Sequence, residues 1–242
     1  MGARTVTLLL ALSTPSAFAQ GTFQNLGFES ATIVPIVGDP YGRIQFSPAF
    51  PSWTGTIGGQ VQTNALYNNL FLGNPGIALL NSGWFSPPIE GNFSVALQAI
   101  SGSGGNVSTA LSQTGLVPFG SLSIQLKVMT GVTNPLSLFA VSFAGENVSL
   151  TPINIGPNYT LYGGDISRFA GQNGQLNITA VLPPPNLSPS VVYLDSITFS
   201  PNAVPEPGVS SLFALVTALF SYSLVRRYGK QMRSRISFSH SD

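Results

Sequence analysis

Apolar and polar residues alternate along several stretches in the middle of the chain. Phe93, Val95 and Leu97 alternate with polar or small residues, and the stretches 122–129 and 176–180 repeat the pattern. A period of two places every second side chain on one face, so each stretch predicts a strand with one buried face. Before residue 209 we find no useful segment with the 3.6-residue period of a helix. We therefore expect an all-β body.

Further strands are expected where β-branched and aromatic residues cluster between turns. Glycine and proline mark turns at 102–105, 131–135 and 183–185. Many short antiparallel strands at this spacing favour a β-sandwich of jelly-roll type. The region 31–88 is less regular and predicts long loops at one end of the sandwich, where binding sites often lie. The further predicted strands are Thr22–Phe28, Val107–Gln113, Leu136–Phe143, Tyr159–Ile166 and Val191–Phe199.

The beginning of the chain does not fit this β pattern. Residues 1–19 have the order of a secretory signal peptide, with Arg4 before an apolar run and with Ala17 and Ala19 at the small positions of an A-x-A cleavage site. Cleavage there would leave Gln20 as the first mature residue. The alternative is a buried N-terminal helix or strand, but the order of features favours a signal peptide, and the run is too short to span a bilayer.

The other end holds a proline-rich joint, an apolar run and a basic cluster. Residues 209–225 are seventeen residues without a charge, close to the shortest helix that spans hydrocarbon. The arginines that follow should stay cytoplasmic, which places the preceding domain outside. The sequence thus predicts a signal peptide at 1–19, a β-sandwich at 20–200, a joint at 201–208, a single transmembrane helix at 209–225 and a basic cytoplasmic tail at 226–242.

These C-terminal parts stand in a fixed order. The residues that carry the pattern are Val204, Pro205, Glu206 and Pro207 before the apolar run and Arg226 and Arg227 after it. The pattern resembles the PEP-CTERM sorting segment of Gram-negative bacteria. The resemblance implies that the exported chain is held at the inner membrane by one helix, is processed by an exosortase near Pro-Glu-Pro, and reaches the cell surface or extracellular matrix. The secretion machinery and the exosortase would be its partners, and the alternative is a permanent C-terminal anchor.

Charged residues are scarce and unevenly placed. They make up 7% of the chain, against about 25% in an average protein. Residues 20–205 hold three basic and six acidic side chains, while the basic residues after 225 give that tail a positive charge. A net-acidic body with so few cations cannot neutralise many phosphates, so nucleic-acid binding is excluded as a function.

Catalytic equipment is also scarce. The chain has no cysteine, and its one histidine, His240, lies beyond the apolar run. The body therefore lacks the base of a Ser-His-Asp or Cys-His arrangement and the usual ligands of zinc. Paired-carboxylate chemistry of the glycosidase type stays open, but no spacing singles out an acid and a nucleophile. No catalytic residue is assigned, although the available carboxylates are Glu29, Glu90, Glu146, Asp165 and Asp195.

A second resemblance concerns the body. Residues 25–29 (Asn-Leu-Gly-Phe-Glu), a following Trp53, and residues 193–197 (Tyr-Leu-Asp-Ser-Ile) are similar to galactose-binding-like jelly rolls, which include many carbohydrate-binding modules. The resemblance implies that the first and last strands pair and bring Glu29 and Asp195 together around a structural calcium ion. The alternative is that both are strand-end acids that face water or pair with an arginine.

Two tryptophans are candidate ligand-binding residues. Trp53 and Trp84 lie in the loop-rich region, where aromatic rings could serve as platforms for sugars. The alternative is that they anchor these loops to the core. The sequence as a whole favours an exported non-enzymatic surface or matrix protein. A carbohydrate-binding module acting on envelope or extracellular polysaccharide is the second interpretation, and a glycoside hydrolase is the third.

Overall fold

In a computed structural model the chain folds into two β-sheets with almost no helix. The structure describes residues 22–70, 73–83, 87–101, 105–130, 135–182 and 189–205. The predicted signal peptide, the apolar run 209–225 and the basic tail lie outside these residues. No helix within the described ranges is long and apolar enough to cross a membrane.

Short strands make up most of the described body, which confirms the all-β prediction. The first half contains β1 (Ile44–Gln45), the one-turn α1 (Phe46–Ala49), β2 (Thr54–Ile57), β3 (Gln60–Val61), β4 (Asn64–Tyr67), β5 (Gly76–Leu80), β6 (Ser94–Ala99) and β7 (Thr109–Leu116). The second half contains β8 (Ser123–Thr130), β9 (Phe139–Phe143), β10 (Glu146–Val148), β11 (Leu150–Ile155), β12 (Thr160–Asp165), β13 (Asn173–Ala180) and β14 (Ser190–Ser200), with 3-10 turns at Pro135–Ser137 and Ser167–Phe169.

The strands form one sheet of eight and one of six. The first has the order β1-β4-β5-β6-β14-β8-β12-β11, and the second has the order β10-β9-β13-β7-β2-β3. All named pairs are antiparallel except β4 with β5. The last strand, β14, lies in the interior of the larger sheet, between β6 and β8. The architecture is that of a β-sandwich.

One apolar cluster fills the space between the sheets. Leu126 and Leu194 enter it from the larger sheet, and Leu111 and Ile178 enter it from the smaller one. All four are completely buried. The alternation read from the sequence is therefore confirmed on β8 and β13, where every second residue faces this core.

The expectation of one buried face does not hold for β6 or for its neighbour β5, because both faces of these strands are buried. On the outer face, Leu66, Ala78, Leu80 and Ala96 form a second cluster, packed against partly buried neighbours that include Tyr193. The segment before β6 folds back onto this face, where the Ile89 amide donates to Ser94 Oγ at 2.8 Å.

Two predictions about the first third of the body are wrong. Thr22–Phe28 is not a strand: Thr22 makes an isolated bridge to Leu116, and a turn closed by the Phe28 amide and the Asn25 carbonyl follows. The region 31–88 is not a set of long loops, since it contains β1 to β5 and α1. These strands have two to five residues, and so short a strand cannot display a period of two.

The larger sheet has two ends that matter below. At one end Ser123 pairs with both Ser200 and Asp165, and the chain leaves β14 there towards residue 205. We call this the exit end. At the other end, which we call the far end, Thr130 pairs with Val192, and Ile155 pairs with Thr160. The eight residues of β8 separate the two ends by roughly 25 Å, at about 3.4 Å per residue.

Candidate functional site

Glu29 and Asp195 both hold the segment 89–94, although they approach it from different elements. The Glu29 carboxylate accepts hydrogen bonds from the amides of Asn92 at 2.9 Å and Phe93 at 3.1 Å. Asp195 Oδ2 accepts from the Glu90 amide at 3.0 Å and from Ser94 Oγ at 2.8 Å. We call the two carboxylates and this segment the acidic clasp. The expected pairing of the first and last strands is wrong, because β14 pairs with β6 and β8, and Glu29 and Asp195 are related through the segment that both bind.

The local backbone allows this close approach. Gly91 has φ +61°, and a methyl group added there would overlap the Glu29 carboxylate. Ser196 has φ +49° at the irregularity in β14 between Asp195 and Thr198. This bulge brings the Ser196 amide to 2.6 Å from Asp195 Oδ1, so the carboxylate of Asp195 is held on both oxygens.

The clasp gives two neighbouring carboxylates opposite pKa shifts. Asp195 is 1% exposed, and burial raises its pKa to about 6, an effect that its hydrogen bonds from Ser94 and two amides only partly offset. Glu90 is exposed, and its pKa is lowered, first by Lys127 and then by the Ser196 hydroxyl. Lys127 Nζ lies 2.7 Å from Glu90 Oε2.

Opposite shifts on neighbouring carboxylates resemble an acid and base pair, but access is missing. Ser196 Oγ donates to Glu90, which places the two acids side by side. Asp195 is nevertheless covered by the segment it holds, so it offers no acid that a polysaccharide could reach. Two of the other candidate carboxylates lie elsewhere: Glu146 is on β10 of the smaller sheet, and Asp165 is at the exit end of β12.

The same hydrogen bonds bear on the calcium ion that was predicted between Glu29 and Asp195. Calcium takes six to eight oxygen ligands. Both oxygens of Glu29 and both oxygens of Asp195 already accept hydrogen bonds from N–H or O–H donors. The described residues contain no group of three or more acidic or histidine side chains that could hold a metal ion. The arrangement is a hydrogen-bonded clasp in which each carboxylate oxygen already has a donor, and a structural calcium ion here stays a prediction.

Trp53 occupies the position of an anchor. It is 5% exposed, its indole Nε1 donates to the Asn25 carbonyl at 3.0 Å, and its ring centre lies 5.7 Å from that of Phe28. Only a small part of it reaches a shallow surface groove beside Phe46 and Pro48. A ring this buried is not an open platform for a sugar.

Several other predicted residues fall outside the described chain. They are Trp84, the signal-cleavage residues Ala17, Ala19 and Gln20, and the sorting residues Glu206, Pro207, Arg226 and Arg227. Of the sorting motif, the structure describes Val204, which is half-buried, and Pro205, which is exposed. Val204 lies against β12, where a methyl group added at Gly163 would be 3.0 Å from Val204 Cγ2.

A groove at the far end has no counterpart in the sequence-based predictions. It has a volume of about 450 Å³ and lies between the last residues of β8 and the β11–β12 hairpin. We call it the far-end groove. Its lining residues carry no charge and include Thr130, Pro152, Ile155, Asn158, Tyr159 and Tyr162. The Gly-Pro-Asn-Tyr turn at 156–159 was its one local signal in the sequence.

Tyr159 has a fixed place in the wall of this groove. Its ring packs on Gly156, where an added methyl group would overlap it. Lys127 Nζ lies 5.0 Å from the ring centre, and Lys127 is in turn held by Glu90. Tyr162 beneath it is 3% exposed and packs edge-on against Phe139 at 5.5 Å. An ordered aromatic ring beside neutral polar groups can contact both the C–H bonds and the hydroxyls of a sugar.

No family model matches this chain, and no curated protein matches it either. Solved structures with partial likeness include a carbohydrate-binding module, TmCBM61, in complex with β-1,4-galactotriose, at 11% identity and a TM-score of 0.37, covering 75% of this chain and all of the module. The secreted serine protease VesC from Vibrio cholerae matches at 10% identity and a TM-score of 0.30, covering 54% of this chain and 25% of the protease.

The tailspike protein 4 enzymatically active domain of bacteriophage CBA120 matches at 12% identity and a TM-score of 0.35, covering 62% of this chain and 19% of the tailspike. This chain therefore spans only a minor part of the protease and of the tailspike. Likeness at these TM-scores supplies no functional assignment, so the function is argued from the geometry.

Proposed function

We propose that this chain is an exported, non-catalytic protein of a Gram-negative bacterium that is sorted to the cell surface or extracellular matrix. The observation that carries the proposal is the exposure of Pro205, the first proline of the sorting motif. Ser123 Oγ donates to the Asn202 carbonyl at 2.7 Å, and three residues later Pro205 is exposed. The motif is therefore accessible at Pro205, close to the Ser123–Asn202 contact, which supports processing at this joint. Before processing, 209–225 would hold the chain in the inner membrane.

The intact mass of the protein released from cells tests this proposal. We expect a chain that begins at Gln20 and ends near residues 205–207. A Pro205→Ala, Pro207→Ala double variant should stay in the membrane fraction, whereas the matched Pro201→Ala variant should be released normally. A released protein that still carries residues 209–242 would overturn the sorting proposal in favour of a permanent anchor.

The far-end groove favours a second function, the binding of neutral polysaccharide from the envelope or matrix. The groove lining carries no charge, and its position opposite the exit end keeps it clear of the tether. We further assign the sandwich to the jelly-roll type, in which binding sites at sheet ends and faces are common.

Affinity electrophoresis against neutral polysaccharides tests the groove. Tyr159→Ala should abolish the retardation of the wild-type protein. Tyr41→Ala is the matched control, because Tyr41 is 55% exposed and lies outside the groove. The binding function is lost if no neutral polysaccharide retards the wild-type protein, or if Tyr159→Ala is retarded equally.

The non-catalytic part of the proposal has its own test against the glycoside hydrolase alternative. We expect no turnover of neutral polysaccharides by the full chain at pH values on either side of the Asp195 pKa. Reducing-end release that disappears in Glu90→Gln but persists in Glu146→Gln would establish hydrolysis by the paired carboxylates instead.

A further inference from the structure

An apolar turn projects from the exit end of the sandwich. Phe119 is 83% exposed, and Leu122 just after it is 40% exposed. Pro118 and Gly120 flank Phe119, and the Ser121 amide closes the turn by donating to the Pro118 carbonyl at 3.2 Å. A phenylalanine this exposed contributes little to the core.

The backbone holds this turn in place. The Val117 amide donates to the Gln172 carbonyl at 2.9 Å, and the Gly171 amide donates to the Val117 carbonyl at 3.0 Å. The Phe119 ring itself rests on Gly171, where a methyl group would overlap it. The ring is therefore presented on an ordered support.

The turn adjoins the point at which the chain leaves the sandwich. The Leu122 amide donates to the carbonyl of Ser200, the last residue of β14, at 2.8 Å. Eight residues lie between Ser200 and Val209, where the proposed span begins, and the nine steps from one Cα to the next reach at most about 30 Å. The anchor thus keeps the exit end close to the bilayer surface at a high effective concentration.

An apolar groove continues the surface beside the turn. It has a volume of about 300 Å³ and is lined mainly by Phe23, Leu26, Leu116, Pro118, Ile197 and Phe199. Phe23 and Phe199 lie with their ring centres 5.1 Å apart. Thr22 is also part of this surface.

We propose that the exit end is a lipid-contacting surface, which rests on Phe119 and Leu122 while residues 209–225 hold the chain in the membrane. This inference depends on the membrane-held stage of the proposed function. The charged groups nearby are Asp165 and the Arg168–Glu146 pair, whose charged atoms are 2.8 Å apart. They give this end no net positive charge. The contact is therefore apolar, and it should respond little to salt or to anionic lipid.

Tryptophan fluorescence of the full chain in phosphatidylcholine vesicles tests the surface. Phe119→Trp places a probe at the turn, and Ile155→Trp is the matched control, since Ile155 is 80% exposed at the far end. After subtraction of the wild-type signal, lipids brominated on their acyl chains should quench Phe119→Trp and leave Ile155→Trp unquenched. Adding phosphatidylglycerol should leave this difference unchanged. Near-ultraviolet circular dichroism would check that both variants are folded.

Flotation of the same samples separates the two proposals. If the chain floats with the vesicles but Phe119→Trp is not quenched, or if both probes are quenched equally, the lipid-contacting surface is overturned and the anchor stands. If the chain does not float at all, the membrane-held stage fails and this inference fails with it. Quenching that appears only with phosphatidylglycerol and vanishes in salt would show an electrostatic contact and also overturn the proposal.

Discussion

Asp195 gives the protein an unusual dependence on pH at the scale of one residue. Its folded-state pKa of about 6 lies above the ordinary value of 3.8, so the folded state binds this proton more tightly than the unfolded state does. Its contribution to stability is therefore present at low pH and is lost as pH rises from about 4 to about 6. Glu90, Asp39 and Asp165 have lowered pKa values, and their contributions are lost only as pH falls below about 4.5.

We therefore predict that the full chain unfolds at a lower urea concentration at about pH 7.5 than at about pH 5. A shift of about two pKa units corresponds to about 3 kcal/mol over the whole titration, of which about 1.4 kcal/mol is lost between pH 5 and pH 7.5. Asp195→Asn should remove this difference, whereas Glu146→Gln, in an exposed ion pair, should keep it. A wild-type protein that becomes more stable over the same pH interval would contradict the prediction.

Substitutions at Trp53 distinguish an anchoring role of this residue from a ligand-binding role. Trp53→Phe removes the hydrogen bond to the Asn25 carbonyl and should lower the free energy of unfolding by about 1 kcal/mol. Trp53→Ala empties a buried site and should lower it by about 3–5 kcal/mol. Urea unfolding measures both. Because the ring is not an open platform, Trp53→Phe should bind polysaccharide as the wild type does, and a selective loss of binding would refute the anchoring role.

At the scale of elements, strand length decided what the sequence could predict. β7, β8, β13 and β14 have eight to eleven residues, so their alternation or residue types identify them. β1 and β3 have two residues each and exist because distant partners pair with them. The buried outer faces of β5 and β6 could not be predicted either, since the segment that covers them is fixed by remote contacts such as that between Asp195 and the Glu90 amide.

β2, which lies between β7 and the edge strand β3 in the smaller sheet, offers a test of packing. A methyl group added at Gly55 would overlap the Phe46 ring and come within 2.8 Å of Ile77 Cδ1, whereas one added at Gly27 would meet nothing within 4 Å. Gly55→Ala should therefore lower the free energy of unfolding by about 1–3 kcal/mol, and Gly27→Ala should change it by less than about 0.5 kcal/mol. Equal melting temperatures for the two variants would show that β2 yields to the added atom.

The acidic clasp predicts a stability that does not depend on calcium. Its carboxylates accept hydrogen bonds from backbone amides and a hydroxyl. A chelator should therefore leave the melting temperature of the full chain unchanged. Glu29→Gln should lower it with or without calcium, because a charged acceptor is lost at Asn92 and Phe93. If calcium raised the melting temperature of the wild-type chain and Glu29→Gln abolished that rise, calcium would bind at the clasp, contrary to this prediction.

For the whole molecule, the sequence predicted the fold class but not the far-end groove. That groove is assembled from the ends of β8, β11 and β12, and no single stretch of sequence contains it. Tyr159 and Lys127 are 32 positions apart, and they meet because β8 and β12 are neighbours in the sheet. Pairing at such distances is a tertiary result, which local propensity and spacing do not reveal.

The position of β14 predicts a sharp limit for truncation. A chain that ends at Leu182 lacks the strand between β6 and β8 and leaves Val95 and Leu126 without Leu194 in the core. We expect it to be digested rapidly by a non-specific protease, while a chain that ends at Pro205 resists. Equal resistance of the two would mean that β6 and β8 can close the sheet by themselves.

In the proposed export, secretion would deliver the chain from its N-terminus, and β14 would reach the outside last. Until residue 200 had crossed, β6 and β8 would lack β14 between them, and the larger sheet would stay incomplete. A translocation channel passes unfolded chains, so in the proposed export this topology would delay completion of the fold until passage is nearly over. The apolar run follows only nine residues later. In the proposed export, completion of the domain and arrest of the chain in the membrane would therefore occur at nearly the same time.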